Sequence, residues 1–323
     1  MKKTLVLATA LALGTSSLAY AQSYPTKPIT MIVPFSAGGP TDTVTRLVAR
    51  AMSEELGQQI VVENVGGAGG TLGAARVAQA ENDGYTLLLH HIGMATTAVL
   101  YRELPYNALE DFEYVGLVTE VPMVFVSRPD LELETMEDLV EWAKEEGEGA
   151  LYANAGIGAA SHLCGLMFMN AIDTQLTTIP YQGTGPALTD LMGGQVDVMC
   201  DQTTNTTQQI RDGSIKGFAV TVPERLDNLP DLPTMAESGL DGFEVSIWHG
   251  IYAPAGTDSE IISKLSEALQ TALEDETVIE RFADLGTVPS PQEDATAEAL
   301  RAKVESEIDV WRPIIEEAGV YAN

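Results

Sequence analysis

"VPFSAGGPTDTVTRLVARAM", Val33 to Met52, decides the fold. It closes the apolar run "ITMIVP", Ile29 to Pro34, which suits a strand buried on both faces of a parallel sheet. The chain then turns through Gly38 and Gly39, where the missing side chain permits positive φ and close backbone approach. Pro40 fits the first position of a helix, where its absent N–H would have had no partner. Beyond it Val44, Leu47, Val48, Ala51, Met52 and Leu56 recur at helical spacing, and Gly57 ends the helix. The turn carries no lysine, arginine or histidine. The amides of Ser36, Ala37, Gly38, Gly39, Thr41 and Asp42 are therefore expected to point at an anion, with the helix dipole behind them. An ordinary helix start, with Thr41 and Asp42 satisfying their own backbone, accounts for this turn equally well.

The same grammar recurs in "YANAGIGAASHLCG" (Tyr152–Gly165), where Gly156 and Gly158 precede a helix opening near Ala160 and Ser161. It recurs again in "YQGTGPALTDLMGGQVD" (Tyr181–Asp197), with Gly183, Thr184 and Gly185 before a helix. Repetition favours a site over three unrelated caps. No GxxxxGK[ST] phosphate loop is present. "VGGAGGTLGA" (Val65–Ala74) lacks the last glycine of the dinucleotide pattern, so no cofactor is expected. With no CxxC and no Cys/His cluster, no metal is expected. Cys164 and Cys200 could pair in an oxidising compartment, but the sequence reading favours two buried thiols.

Strand and helix periods alternate along the chain, which means an α/β sheet with right-handed crossovers. One alternating block ends near residue 123, a second covers 124–245, and residues 246–323 add a strand and a helical tail. Two lobes with a cleft between them follow, since ligands of open α/β sheets sit at the carboxyl ends of strands. Lys2 and Lys3, the apolar run Leu5–Leu13 and Ala19-Tyr20-Ala21 read as a signal peptide over residues 1–21, cleaved for export to the periplasm. Against 47 Asp+Glu stand 17 Lys+Arg, a net charge of −30. That field repels nucleic acid and anionic membranes, so any anion site must be local and rich in donors.

Five stretches, "YPTKPITMIVPFSAGGPTDTVTRLVA", "VVENVGGAGGTLGAARVAQAENDGYTLL", "IPYQGTGPALTDLMGGQVDVM", "LPDLPTMAESG" and "WHGIYAPAGT", resemble in order the signature blocks of one family. It is the periplasmic substrate-binding receptors of tripartite tricarboxylate transporters, the Bug proteins. The resemblance implies a two-domain α/β periplasmic binding protein of type II, a Venus flytrap closing on a small carboxylate. It also implies integral membrane transporter subunits as partners, and the chain is read as a monomer. It places the ligand against Phe35–Asp42 in the first lobe and Ala155, Gly156, Gly158, Ala159 and Ser161 in the second, with Thr184 and Asp201 in or near the cleft. Pro40 stands where the family commonly has another residue, which removes one potential donor.

Specificity is expected from "LHHIGMATT", where His90 and His91 are read as lying just past a strand. His91 is favoured as the inward one, able to meet a second carboxylate and to respond to pH. Phe35, Met94 and Trp248 are candidate apolar walls. Two rival functions share the cleft. A periplasmic hydrolase would use Ser36 or Ser161 with a histidine and Asp42 or Asp201, but the chain has no GxSxG elbow. A sensory ligand-presenting protein would differ only in its partner.

Overall fold

The computed structural model describes residues 24–318, 321 and 322; the expected signal peptide lies outside them. The first part of the chain forms β1 (Ile29–Val33), α1 (Pro40–Leu56), β2 (Ile60–Asn64), α2 (Thr71–Ala78), β3 (Thr86–His91) and α3 (Gly93–Leu100). A long β4 (Phe112–Ser127) follows, then α4 (Met136–Glu146), β5 (Leu151–Asn154), α5 (Ala160–Ala171), β6 (Thr177–Pro180) and α6 (Thr184–Met192). The remainder is β7 (Val198–Gln202), α7 (Thr203–Arg211), β8 (Lys216–Val220), β9 (Ser246–Pro254), α8 (Ser259–Leu273), α9 (Glu276–Asp284), β10 (Val288–Pro289) and α10 (Ala297–Ala318).

The strands run β2-β1-β3-β9-β4-β7-β5-β6, with β8 and β10 also paired to β4. β1, β2 and β3 are parallel in one half, and β5, β6 and β7 in the other. β4 joins the halves. It pairs with β9 as far as Pro122 and with β7 from Met123 onward. The chain comes back at Val245, whose amide donates to Thr221 O, directly before β9.

The first lobe packs as its periodicity predicts. Val44, Val48 and Met52 on α1 are fully buried in a cluster with β1, β3 and α8. Burying each such side chain contributes roughly 1.5–3 kcal/mol. Gly57 ends α1 at φ 64°. Two expectations need correcting. Cys164 and Cys200 form a disulfide and not a pair of thiols, because the first turns of α5 cross β7 with the two Cα atoms 6.1 Å apart, within bridging range. His90 and His91 lie inside β3 and not past it, opposite Gly250 and His249 of β9, and α3 begins almost at once.

Candidate ligand-binding site

The carboxyl ends of β1, β5 and β7 meet between the lobes. A cavity there is lined by Phe35, Pro40, Thr41 and His91 from the first lobe and Ala155, Ala160, Ser161, Thr184, Asp201 and Gln202 from the second. Among the described residues no Lys or Arg borders it. It leaves about 10 Å³ for the centre of a water-sized sphere, room for a single water. In this arrangement the lobes stand close over the cavity.

The helices that begin around this cavity share a feature: no side chain caps them. The caps are Gly39 for α1, Ala159 for α5, Gly183 for α6 and Gln202 for α7, and none makes a side-chain hydrogen bond to the helix start. Of the other helices, α4, α8 and α9 are capped by Thr135, Asp258 and Asp275, whereas α2 and α3, which follow Gly70 and Ile92 in the first lobe, are not. An uncapped start leaves N–H groups that need an acceptor, and the helix dipole makes an anion the favoured one.

The first-lobe loop keeps several amides free. Among the described residues, those of Ala37, Gly39, Thr41 and Asp42 donate to no protein acceptor. Two others expected to be free are occupied. Ser36 N–H donates to Gln182 O across the cleft at 2.9 Å, and Gly38 N–H to Asp42 Oδ2 at 3.0 Å. Asp42 thus faces back into its own loop. Burial would raise its pKa, but Arg46, the Gly38 amide and Asn64 outweigh burial and lower it. Of the two glycines only Gly38 needs positive φ, at 79°; Gly39 is extended.

The second-lobe loop satisfies itself. Ala155 N–H donates to Ser161 Oγ, Gly156 N–H to Asn154 Oδ1, Gly158 N–H to His162 Nδ1 and Ala159 N–H to Gly156 O. Ala160 and Ser161 N–H, at the start of α5, remain without a protein acceptor among the described residues.

The loops of the two lobes meet backbone to backbone. A Cβ at Gly69 would run into the Ile157 carbonyl, one at Gly183 into Ser36, and one at Gly66 would lie 2.7 Å from Gln182 O. This explains two glycines of "VGGAGG": Gly66 and Gly69 form the seam, while Gly67 and Gly70 are crowded by Leu72, His90 and Phe35 of their own lobe. The seam is fastened by Ser36 to Gln182, by Thr96 Oγ1 to Gly158 O at 2.9 Å and by Tyr101 OH to Ile157 O at 3.2 Å.

The remaining expected residues divide by position. Phe35, Thr41, His91, Ala155, Ser161, Thr184 and Asp201 line the cavity. Ser36 and Gly156 border a groove at its mouth, Ala37 and Gly38 a second groove beside α6. Gly39 abuts Gly185 and Thr184, Gly158 abuts α3, and Ala159 is buried as the cap of α5. Met94 and Trp248 are buried but do not reach the cavity. Gln202 and His249 are not among the expected site residues. His249 Nδ1 contacts Ile247 O at 3.1 Å, so its Nε2 accepts from Thr41 Oγ1 at 3.4 Å.

His91 stacks on Phe35 with ring centroids 4.6 Å apart. Gly93 N–H donates to its Nδ1, which fixes the proton on Nε2. Burial, with His90 and His249 nearby, pushes its pKa well below the usual histidine value. It is a neutral donor, which corrects the expectation of a pH-responsive cation. Asp201 is different. Burial raises it to about 6 although Asn205 Nδ2 donates to its Oδ2 at 2.5 Å.

Two α/β lobes around a cavity of uncapped helix starts define a two-domain solute-binding protein. Residues 44–320 match the model of the tripartite tricarboxylate transporter family receptor, and the chain belongs to that family. It is 55% identical over 297 residues to a protein of the TAR-I ttuE-ttuC' intergenic region of Agrobacterium vitis, covering 92% of this chain and 86% of that one. Among solved structures it is similar to the periplasmic binding protein BugD, at 49% identity and TM-score 0.91, over 93% of this chain and all of the other. It is also similar to MatC of Rhodopseudomonas palustris with bound malate, at 38% identity and TM-score 0.87, over 90% of this chain and all of the other.

Proposed function

We propose that this chain is an extracytoplasmic receptor that takes up a small carboxylate between its lobes and delivers it to integral membrane transporter subunits. One observation carries the reading: uncapped helix starts from both lobes surround one cavity that, among the described residues, no lysine or arginine borders. Oriented amides recognise a carboxylate there without a cation. The malate bound to MatC agrees in chemical class. In this reading residues 1–21 are removed on export, the lobes comprise residues 22–123 with 246–323 and residues 124–245, and they hinge where β4 and β9 cross. The protein works as a monomer. The amide of Thr41, which borders the cavity, and those of its chain neighbours Gly39 and Asp42 hold the carboxylate, and Ala160, Ser161 and His91 Nε2 complete the shell.

The hydrolase alternative has less support, because among the described residues no serine hydroxyl hydrogen-bonds a histidine. A sensory role would be told apart by the membrane protein that co-purifies. A carboxylate library screened by thermal shift tests the proposal. A ligand of the closed form raises Tm by mass action. A library with no acid that shifts Tm would overturn it.

A further inference from the structure

The cavity wall offers acceptors as well as donors. Asp201 is 1% exposed and borders the cavity; Asn205 engages only its Oδ2. Gln202, 2% exposed, lines the cavity with its Oε1 buried and unpartnered. Thr41 commits its hydroxyl proton to His249 Nε2, so only its lone pairs remain for a ligand. An ionised carboxylate can only accept hydrogen bonds. A ligand made of carboxylates and hydrocarbon alone would fill the amide donors, yet leave Gln202 Oε1 without a donor and set its charge against Asp201. Buried acceptors without donors are costly.

We propose, resting on the carboxylate-receptor reading, that the ligand carries a hydroxyl or ammonium donor beside its acid groups, and that Asp201 with Gln202 accepts from that donor. Thr41 presents the third acceptor from the opposite lobe, so the donor is enclosed only on closure. The titration of Asp201 fits this role. Burial raises its pKa to about 6, with hydrogen bonds from Asn205, Gln202 and Thr184 as the opposing influences and no cation among them. Near neutral pH the site therefore keeps a buried carboxylate that is hydrogen-bonded but has no cation beside it. Asparagine would meet a purely structural need without that cost, whereas a bound donor offsets it.

Asp201 and Gln202 are then specificity-determining residues, and Asn205 positions the carboxylate by holding its outer oxygen. Calorimetric titration of the mature protein with succinate, L-malate and L-aspartate compares one four-carbon skeleton without a donor, with a hydroxyl and with an ammonium. L-Malate or L-aspartate is expected to bind about tenfold or more tighter than succinate, since a site built around a donor leaves buried acceptors unpaired when the donor is missing. Whichever leads names the donor. In Asp201→Asn the preference should shrink to about threefold or less, with succinate binding as well as before or better once the opposing charge is gone. Gln202→Leu should lower the preference while leaving succinate unchanged. Circular dichroism and Tm of both variants establish that they fold. Equal binding of succinate and L-malate, full discrimination in folded Asp201→Asn, or a carboxylate library whose binders all lack a donor would overturn this inference and leave the receptor reading standing. Failure of every carboxylate to bind would overturn both.

Discussion

The two facing loops, Phe35–Asp42 and Ala155–Ser161, use the same local pattern for different ends. Each runs from the end of a parallel strand through glycine into an uncapped helix. The first leaves the amides of Ala37, Gly39, Thr41 and Asp42 without protein acceptors, whereas the second consumes those of Ala155, Gly156, Gly158 and Ala159 within itself. In the proposed reading the first is a cradle for an anion. The second is a folded lid that offers only the amides at its helix start. Two loops of one grammar need not share one job, because side chains decide which donors are spent.

The lobes differ in buried charge too, and acid should expose that difference most strongly. The first lobe contains His90 and His249, both pushed to about 3 by burial, and His91, also well below its usual value. These depressed values mean the unfolded chain binds protons that the folded lobe refuses below about pH 6.5, so stability is full above that pH and lost as pH falls toward 3. Each histidine costs about 1.4 kcal/mol per pH unit in that window, or roughly 4 kcal/mol per unit for the three. In the second lobe His162, lowered to about 4, acts in the same direction, but Asp201, raised to about 6, acts oppositely between about pH 4 and 6. Hydrogen exchange at pH 5 should therefore show amides of β1 and β3 opening before those of β5 and β7. Uniform loss of protection would break the contrast.

Reduction should do the reverse. The Cys164–Cys200 bridge closes a segment with a sequence separation of 36 entirely within the second lobe, joining α5 to β7. Loop entropy puts its contribution at about 3–4 kcal/mol. Cys164→Ala with Cys200→Ala should lower the protection of β5 and β7 and leave β1 and β3 unchanged; equal weakening of both would count against separate lobes.

A smaller effect should come from the seam. Gly69→Ala sets a methyl group against the Ile157 carbonyl only when the lobes are shut. It should weaken ligand affinity about 10- to 100-fold by overpacking the closed form. The ligand-free Tm should also fall by a few degrees, because Gly69 sits at φ 63° and alanine is strained there whether the lobes are open or shut. Calorimetry reads the first and a thermal scan the second; unchanged affinity would mean the seam does not govern closure.

Much of the fold is legible in sequence because its signals are local. The apolar run at Ile29–Val33, the helical stripe from Val44 to Leu56 and the glycine at 57 each act within one element. What stayed hidden depends on distant partners or on missing periodicity. α3 shows no polar face, since Gly93, Met94, Ala95, Thr96, Thr97 and Leu100 are all buried. The spent amides of Ser36 and Gly158 are not written in their own turns. One is claimed by Gln182 from the other lobe, the other by a histidine one helical turn ahead. The pairing of Thr41 with His249 joins residues 208 positions apart. One signal was present: no Ser, Thr, Asp or Asn occupies the cap position of α1, α5, α6 or α7, whereas Thr135, Asp258 and Asp275 cap helices away from the cleft.

Amide chemical shifts, followed residue by residue as a binding carboxylate is titrated in, test the cradle most directly. The N–H signals of Gly39, Thr41 and Asp42 should move strongly downfield as they gain a charged acceptor, while those of Gly156 and Ala159 stay nearly still. Large shifts at Gly156 and Ala159 with silence at Gly39 and Thr41 would contradict the account.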